Sequence, residues 1–222
     1  MIGQLPRWVW TTAWTLSFLA GMVNVVGLLG FERQAITHLT GTTSMLGAAI
    51  AAWDWTTAWH LVMVVGSFVL GTAVSAFIIK DSTLKLGRPY GVALFLESVL
   101  LALAVPLLQR QNLSGFYLAS CACGLQNAMT TTYSGSVVRT THVSGMFTDL
   151  GIFLGHTLRG VPVDRRRLRL CGIIISGFLV GGIAGAAGFH SFGYATLFVP
   201  SAVTGTAAIV YSLVQARSPR AP

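Results

Sequence analysis

Apolar residues run along this chain in blocks that are longer and more continuous than the one-sided stripes of helices in water. Six blocks, residues 8–30, 58–79, 89–109, 113–133, 170–189 and 194–214, are long enough to cross about 30 Å of hydrocarbon at ~1.5 Å per helical residue. Two more, residues 42–53 and 146–158, hold roughly 12 residues each and reach only about 18 Å, part of the way across. The pattern predicts an all-α integral membrane protein, a single membrane domain over residues 1–222. It has six transmembrane helices and two short re-entrant or broken half-helices.

The blocks repeat. At an offset of 103 to 104 residues Gly21 meets Gly124 and Asn24 meets Asn127; after one inserted residue, THLTG at 37–41 meets THVSG at 141–145. Ser44 then meets Thr148, Leu46 meets Leu150 and Gly47 meets Gly151. A shared order of long helix, THx(T/S)G turn, short helix and two long helices marks an internal duplication. Repeat one covers residues 8–109 and repeat two 113–214. Three crossings per repeat is an odd number, so the second copy enters the bilayer inverted relative to the first, and the two motif-bearing ends approach each other near the midplane.

Composition agrees with lipid as the solvent: 54% of residues are apolar, 9% are charged, and the mean hydropathy is +0.71. A net charge of +8 and a pI near 10.1 would otherwise suggest nucleic acid. Here the basic residues sit between the apolar blocks: Lys80, Lys85 and Arg88 in one connection, Arg159, Arg165, Arg166, Arg167 and Arg169 in another, Arg7 before the first block, and Arg217 and Arg220 after the last. Six crossings place all four regions on one side, the cytoplasmic side by the positive-inside rule, with both termini there. Arg7 ahead of an apolar run that ends in Ala20 and Gly21 resembles a signal peptide, but Asn24 and the following motif mark a retained helix. Cys121, Cys123 and Cys171 fall within apolar blocks, where free thiols behave as small hydrophobes.

Non-helical backbone at membrane depth is tolerated where protein buries it or it lines a wet cavity. The two turns are therefore a site or a polar packing centre. A helix N-terminus offers about four unpaired N–H groups and roughly half a positive charge, which suits an anion or the negative end of a polar solute. Thr37, Thr40, Thr42, Thr141 and Ser144 either cap those ends or turn their hydroxyls to a ligand. Gly41 and Gly145 allow a close backbone approach or a positive φ. His38 and His142 occupy matching places, and a neutral imidazole both donates and accepts. No cluster of further ligands accompanies them, which argues against a metal or haem.

Two acids lie in the apolar blocks: Glu97, and Asp149 about two turns beyond His142, where the first repeat has Met45. Intramembrane carboxylates are costly unless protonated or paired, so each is a candidate proton carrier or counter-ion. Arg139 is the expected partner of Asp149 or an anion ligand. Asn24 and Asn127 are placed to hydrogen-bond the two turns. Gly177, Gly181 and Gly185 form a G-x-x-x-G face, and Gly66 with Gly71 repeats the spacing of Gly172 with Gly177. Close internal packing is favoured for these helices, with a homodimer interface as the alternative.

The string GLQNAMTTTYSGSVVRTTHVSGMFTDLGIFLG, together with AGMVNVVGLLGF and THLTGTTSMLG, resembles the YoaK-type family of bacterial membrane proteins across both halves. The resemblance implies a six-helix inner-membrane protein with a domain of unknown function and a transport role, and brings no substrate or mechanism with it. From the residues alone, the expected function is that of a small-solute transporter or exporter, with proton coupling. Its site is lined by His38, Thr40, Gly41, Arg139, His142, Ser144, Gly145, Glu97 and Asp149. A selective channel, or a structural or signalling membrane subunit, is the alternative. The Ser134-Gly135-Ser136 segment lacks the G-x-S-x-G pattern, and neither H-E-x-x-H nor a nucleotide-binding loop occurs, which argues against an enzyme and against direct ATP drive. No cofactor, metal or nucleic-acid partner is expected.

Overall fold

The structure is a computed structural model that describes residues 7–79, 88–134 and 138–217. Lys80, Lys85, Gly135, Ser136 and Arg220, used above, lie outside those residues. The described elements are α-helices joined by short turns: α1 (Arg7–Leu29), α2 (Leu39–Ala51), α3 (Trp55–Ile78), α4 (Arg88–Gln109), α5 (Ser114–Ser134), α6 (Val143–Leu158), α7 (Arg165–Phe192) and α8 (Phe198–Arg217), with a 3₁₀ turn (Gly193–Leu197) between the last two.

Four segments are long and apolar enough to cross a membrane: residues 8–29, 55–78, 88–109 and 165–215. The last is 51 residues long and is interrupted at Gly193, whose φ of 57° turns the chain between α7 and α8. Large apolar side chains face outward in a way water would not tolerate; Phe77 is 87% and Leu158 80% exposed. These are the outer faces of membrane helices. Helix α5 has the length of a span but carries many polar residues, and most of its residues are buried in the bundle.

The short helices begin earlier than hydropathy indicates, at Leu39 and Val143 rather than 42 and 146, because the polar motif supplies their first turns. Both end alike. Trp53 (φ 58°) and Gly160 (φ 71°) take left-handed conformations, and the next residue returns its N–H to the last helical turn: Asp54 to Ala49 O at 3.0 Å, Val161 to His156 O at 2.9 Å. Asp54 and Asp164 then cap the helices that follow, accepting from Thr57 N–H at 3.0 Å and from Arg166 N–H at 2.9 Å. The Thr57 hydroxyl and N–H hold the exposed Asp54 carboxyl below its ordinary value.

Most packing partners are kept when the first four helices are exchanged for the last four; the exception is α4, which packs along α5, whereas α8 only touches α1. Helix α1 packs on α7 as α5 packs on α3, α2 lies on α3 as α6 lies on α7, and α4 packs on α8. The glycine contacts follow the same exchange. A Cβ at Gly71 would overlap the Cys121 carbonyl and one at Gly124 the Phe68 carbonyl; at Gly181 it would overlap the Phe18 carbonyl and at Gly21 that of Phe178. Small residues let these backbones touch, which is where packing energy arises when lipid is as apolar as the side chains.

This corrects the glycine register read from sequence. Gly66 and Gly172 have open space around them, and the contact counterpart of Gly71 is Gly181, not Gly177. Helix α6 is 16 residues long against 13 for α2, and the connection that follows it is also longer than that after α2, so the following helices align about one turn later than the glycine spacing indicates. Gly177, Gly181 and Gly185 all pack against α1, so that face is filled within the chain.

Candidate functional site

The turns before α2 and α6 have nearly the same backbone. His38 and His142 are the N-cap residues, at φ −97°, ψ 71° and φ −91°, ψ 56°, and neither helix has a side-chain cap hydrogen bond. The first helical bonds close from Thr42 N–H to His38 O at 3.1 Å and from Met146 N–H to His142 O at 3.3 Å. The expectation that Thr and Ser hydroxyls cap these ends is not met. Thr42 instead donates to His38 O at 3.2 Å, whereas the hydroxyls of Thr40, Thr141 and Ser144 bond to no other described residue.

Gly41 and Gly145 are helical and lack positive φ. Their role is to seat the histidines: a Cβ at Gly41 would lie 2.6 Å from His38 Nδ1, and one at Gly145 would lie 2.5 Å from His142 Nε2. Each imidazole folds over the first turn of its own helix, and any larger residue three positions on would displace it.

Both turns open into one cavity of about 570 Å³. His38, Thr40, Arg139, His142, Ser144 and Asn127 line it, together with Thr37 and Thr141. One wall comes from Phe68, Thr72, Ala73 and Ala76 on α3, the other from Ala128, Thr131 and Thr132 on α5. The close α3–α5 packing thus forms a wall on which the two capless helix ends converge. A second, largely apolar cavity of about 720 Å³ lies among α1, α4, α5 and α8 and contains none of the motif residues.

The two sequence-predicted acids lie elsewhere. Asp149 is held by Arg167 of α7, with Nε to Oδ2 at 3.3 Å and Nη2 to Oδ1 at 3.2 Å. Its partner is therefore Arg167, not Arg139, because α6 lies along α7 and directs Asp149 to that helix. Glu97 is only 2% exposed on α4 and lines neither cavity; its Oε2 has no hydrogen-bond partner among the described residues. Both leave the cavity's wall. Among the described residues no three His, Cys, Asp or Glu side chains cluster as a metal site, and the three cysteines are free.

Asn24 fulfils its expected role, its Oδ1 accepting from Thr37 N–H at 3.0 Å and Thr37 Oγ1 at 2.8 Å. Asn127 does not: its buried Oδ1 has no partner among the described residues. The second turn is held instead by Gln126, which donates to Thr140 Oγ1 at 3.3 Å and Leu16 O at 3.0 Å. The first half has an additional network that sequence reading missed. His60 Nδ1 meets Tyr117 OH at 3.1 Å and Nε2 meets Gln34 Oε1 at 3.0 Å, while Gln34 Nε2 donates to Thr42 Oγ1 at 3.5 Å. With Oε1 accepting, His60 carries its proton on Nε2, and Nδ1 accepts a hydrogen bond from the Tyr117 hydroxyl. A His or Gln inside an apolar block is itself the signal, since such groups need internal partners in lipid.

No curated protein and no solved structure matches the chain. A family model described as "Protein of unknown function (DUF1275)" matches residues 12–210, from early α1 to late α8. The chain, whose motif strings resemble the YoaK-type proteins, therefore belongs to the DUF1275 family of helical membrane proteins.

Proposed function

We propose that this protein is a small-solute transporter or exporter that binds its solute in the cavity between the N-terminal ends of α2 and α6. The observation that carries the reading is the convergence of two duplicated, capless turns on one polar cavity. Unsatisfied N–H groups inside a membrane protein are costly unless a solute or water meets them. A purely structural turn of this kind would be capped by the Thr and Ser residues beside it.

The proposed architecture is six crossings with α2 and α6 as half-helices, arranged as inverted-topology repeats over residues 8–109 and 113–214. The packing that survives exchange of the two halves supports it, as does an odd number of crossings per repeat. The basic connections favour a multi-pass protein of the bacterial inner membrane with both termini cytoplasmic. Cysteine labelling at Asp54 and Asp164, exposed counterparts, reads the topology: opposite sides of the membrane fit the inversion, and the same side refutes it.

In this reading the partners are the bilayer and a small solute, with no catalytic step and no cofactor. Glu97 is the candidate for proton coupling, because a buried carboxyl with an unpartnered oxygen is kept at a cost. Flux in proteoliposomes tests the whole proposal. His142→Ala should abolish movement of solute while leaving folded protein, and Glu97→Gln should remove drive by a pH gradient. Unchanged flux in His142→Ala would remove the cavity assignment, and movement only down a gradient would make the protein a channel.

A further inference from the structure

Every ionisable group on the wall of the cavity is a base. Arg139 carries a permanent charge, His38 and His142 flank the helix ends, and among the described residues no Asp or Glu lines the space. The acid nearest in sequence, Asp149, is engaged by Arg167 on another helix, and Glu97 is buried away from the wall. Arg139 is exposed, makes no side-chain hydrogen bond or ion pair with any described residue, and replaces the uncharged Ala35 of the first repeat. A guanidinium on the wall of a cavity, with no carboxylate partner among the described residues, keeps its N–H fork free for a bound group. The first-turn N–H groups of α2 and α6 add donors and the positive ends of two helix dipoles. The hydroxyls of Thr40 and Ser144 line the same space without internal partners.

We propose that the solute is a small oxyanion, a carboxylate or phosphate-like group, held between Arg139 and the facing first turns of α2 and α6. The proposal rests on the transporter reading for its biology, but its chemistry is a binding claim and is tested as one. Arg139 supplies the fork that takes two oxygens, the N–H groups take the remaining lone pairs, and the asymmetry of the repeats is what charges the site. A volume of about 570 Å³ admits an organic acid of several carbons with part of its hydration.

The experiment uses the full chain in detergent at fixed ionic strength, with thermal unfolding followed against acetate, succinate, inorganic phosphate and sulfate. Acetamide, succinamide and ethylenediammonium are the neutral and cationic counterparts. At least one oxyanion should raise Tm saturably, while its neutral or cationic counterpart does not. Arg139→Gln should weaken that oxyanion roughly tenfold or more, Arg139→Lys should recover part of the loss, and Asp149→Asn should leave it unchanged. Equal stabilisation by the amides or the dication overturns the proposal, as does undiminished binding by Arg139→Gln or the lack of a saturable shift with every oxyanion. Phosphatidylglycerol vesicles that displace the free anion through Arg139, where phosphatidylcholine vesicles do not, would support the oxyanion site and identify a lipid headgroup as its source. Oxyanion binding without flux would sink the transporter reading and leave this site standing. Flux of a neutral solute without oxyanion binding would do the reverse.

Discussion

The turn before α2 and the turn before α6 share a sequence motif and a backbone, yet they are anchored through different residues. In the first, Asn24 takes both the N–H and the hydroxyl of Thr37, and Gln34, His60 and Tyr117 extend the network across α3 and α5. In the second, Gln126 holds Thr140, while among the described residues the Asn127 oxygen is unpartnered, Thr141 makes no such bond, and Arg139 stands at the cavity without a carboxylate. The two helix ends match in motif and in backbone. The first thus closes on its own threonine, and the second keeps Thr141, Ser144 and Arg139 free to meet a solute.

The comparison assumes that the framework around both turns is equal, and the glycine seams test that with the largest expected effect. Gly71→Leu and Gly181→Leu each drive a side chain into a backbone carbonyl, so each should cost about 3 kcal/mol or more and reduce the yield of monodisperse protein similarly. Gly66→Leu and Gly172→Leu, with open space around them, should be tolerated. Unequal damage at Gly71 and Gly181 would break the equivalence of the two halves.

Asn24→Ala and Asn127→Ala separate the two turns. The first removes two hydrogen bonds and should lower stability by about 1–2 kcal/mol in detergent unfolding. The second should leave stability within about 0.5 kcal/mol and reduce flux instead. Reversed outcomes would exchange the roles of the turns.

A double-mutant cycle of His60→Leu with Gln34→Leu should give a coupling near 0.6 kcal/mol, the usual size for a side-chain hydrogen bond inside a membrane protein. Zero coupling would detach the network from the first turn. The smallest effect is expected at Asp149→Asn. The Arg167 side chain of that pair is 53% exposed, so less than about 1 kcal/mol and no change in flux should follow. A loss of flux would bring Asp149 back into the site.

Much of this was legible in the chain itself. The apolar blocks located the long helices to within a few residues, and the paired THx(T/S)G strings located the turns that meet at the cavity. Legibility failed where a side chain's partner lies on a distant helix. Asp149 looked like a partner for Arg139 because they are close in sequence, but packing of α6 on α7 brings Arg167 to it. Gly71 and Gly177 matched in spacing, yet a longer α6 shifts the true contact to Gly181. Gly41 and Gly145 suggest a close backbone approach or a positive φ, while their need is room for an imidazole.

Sequence alone determined the helices, their approximate positions, the lipid character of the chain and the pairing of its two motifs, because hydropathy and motif spacing are local quantities. Tertiary structure decided which apolar faces turn inward and which polar groups meet. Leu101 at 1% exposure and Phe77 at 87% are equally apolar, since in a bilayer the core and the solvent share one chemistry. Inside and outside are therefore distinguished only by contacts, and contacts between helices far apart in the chain are what brought Arg139, His38 and His142 around one cavity.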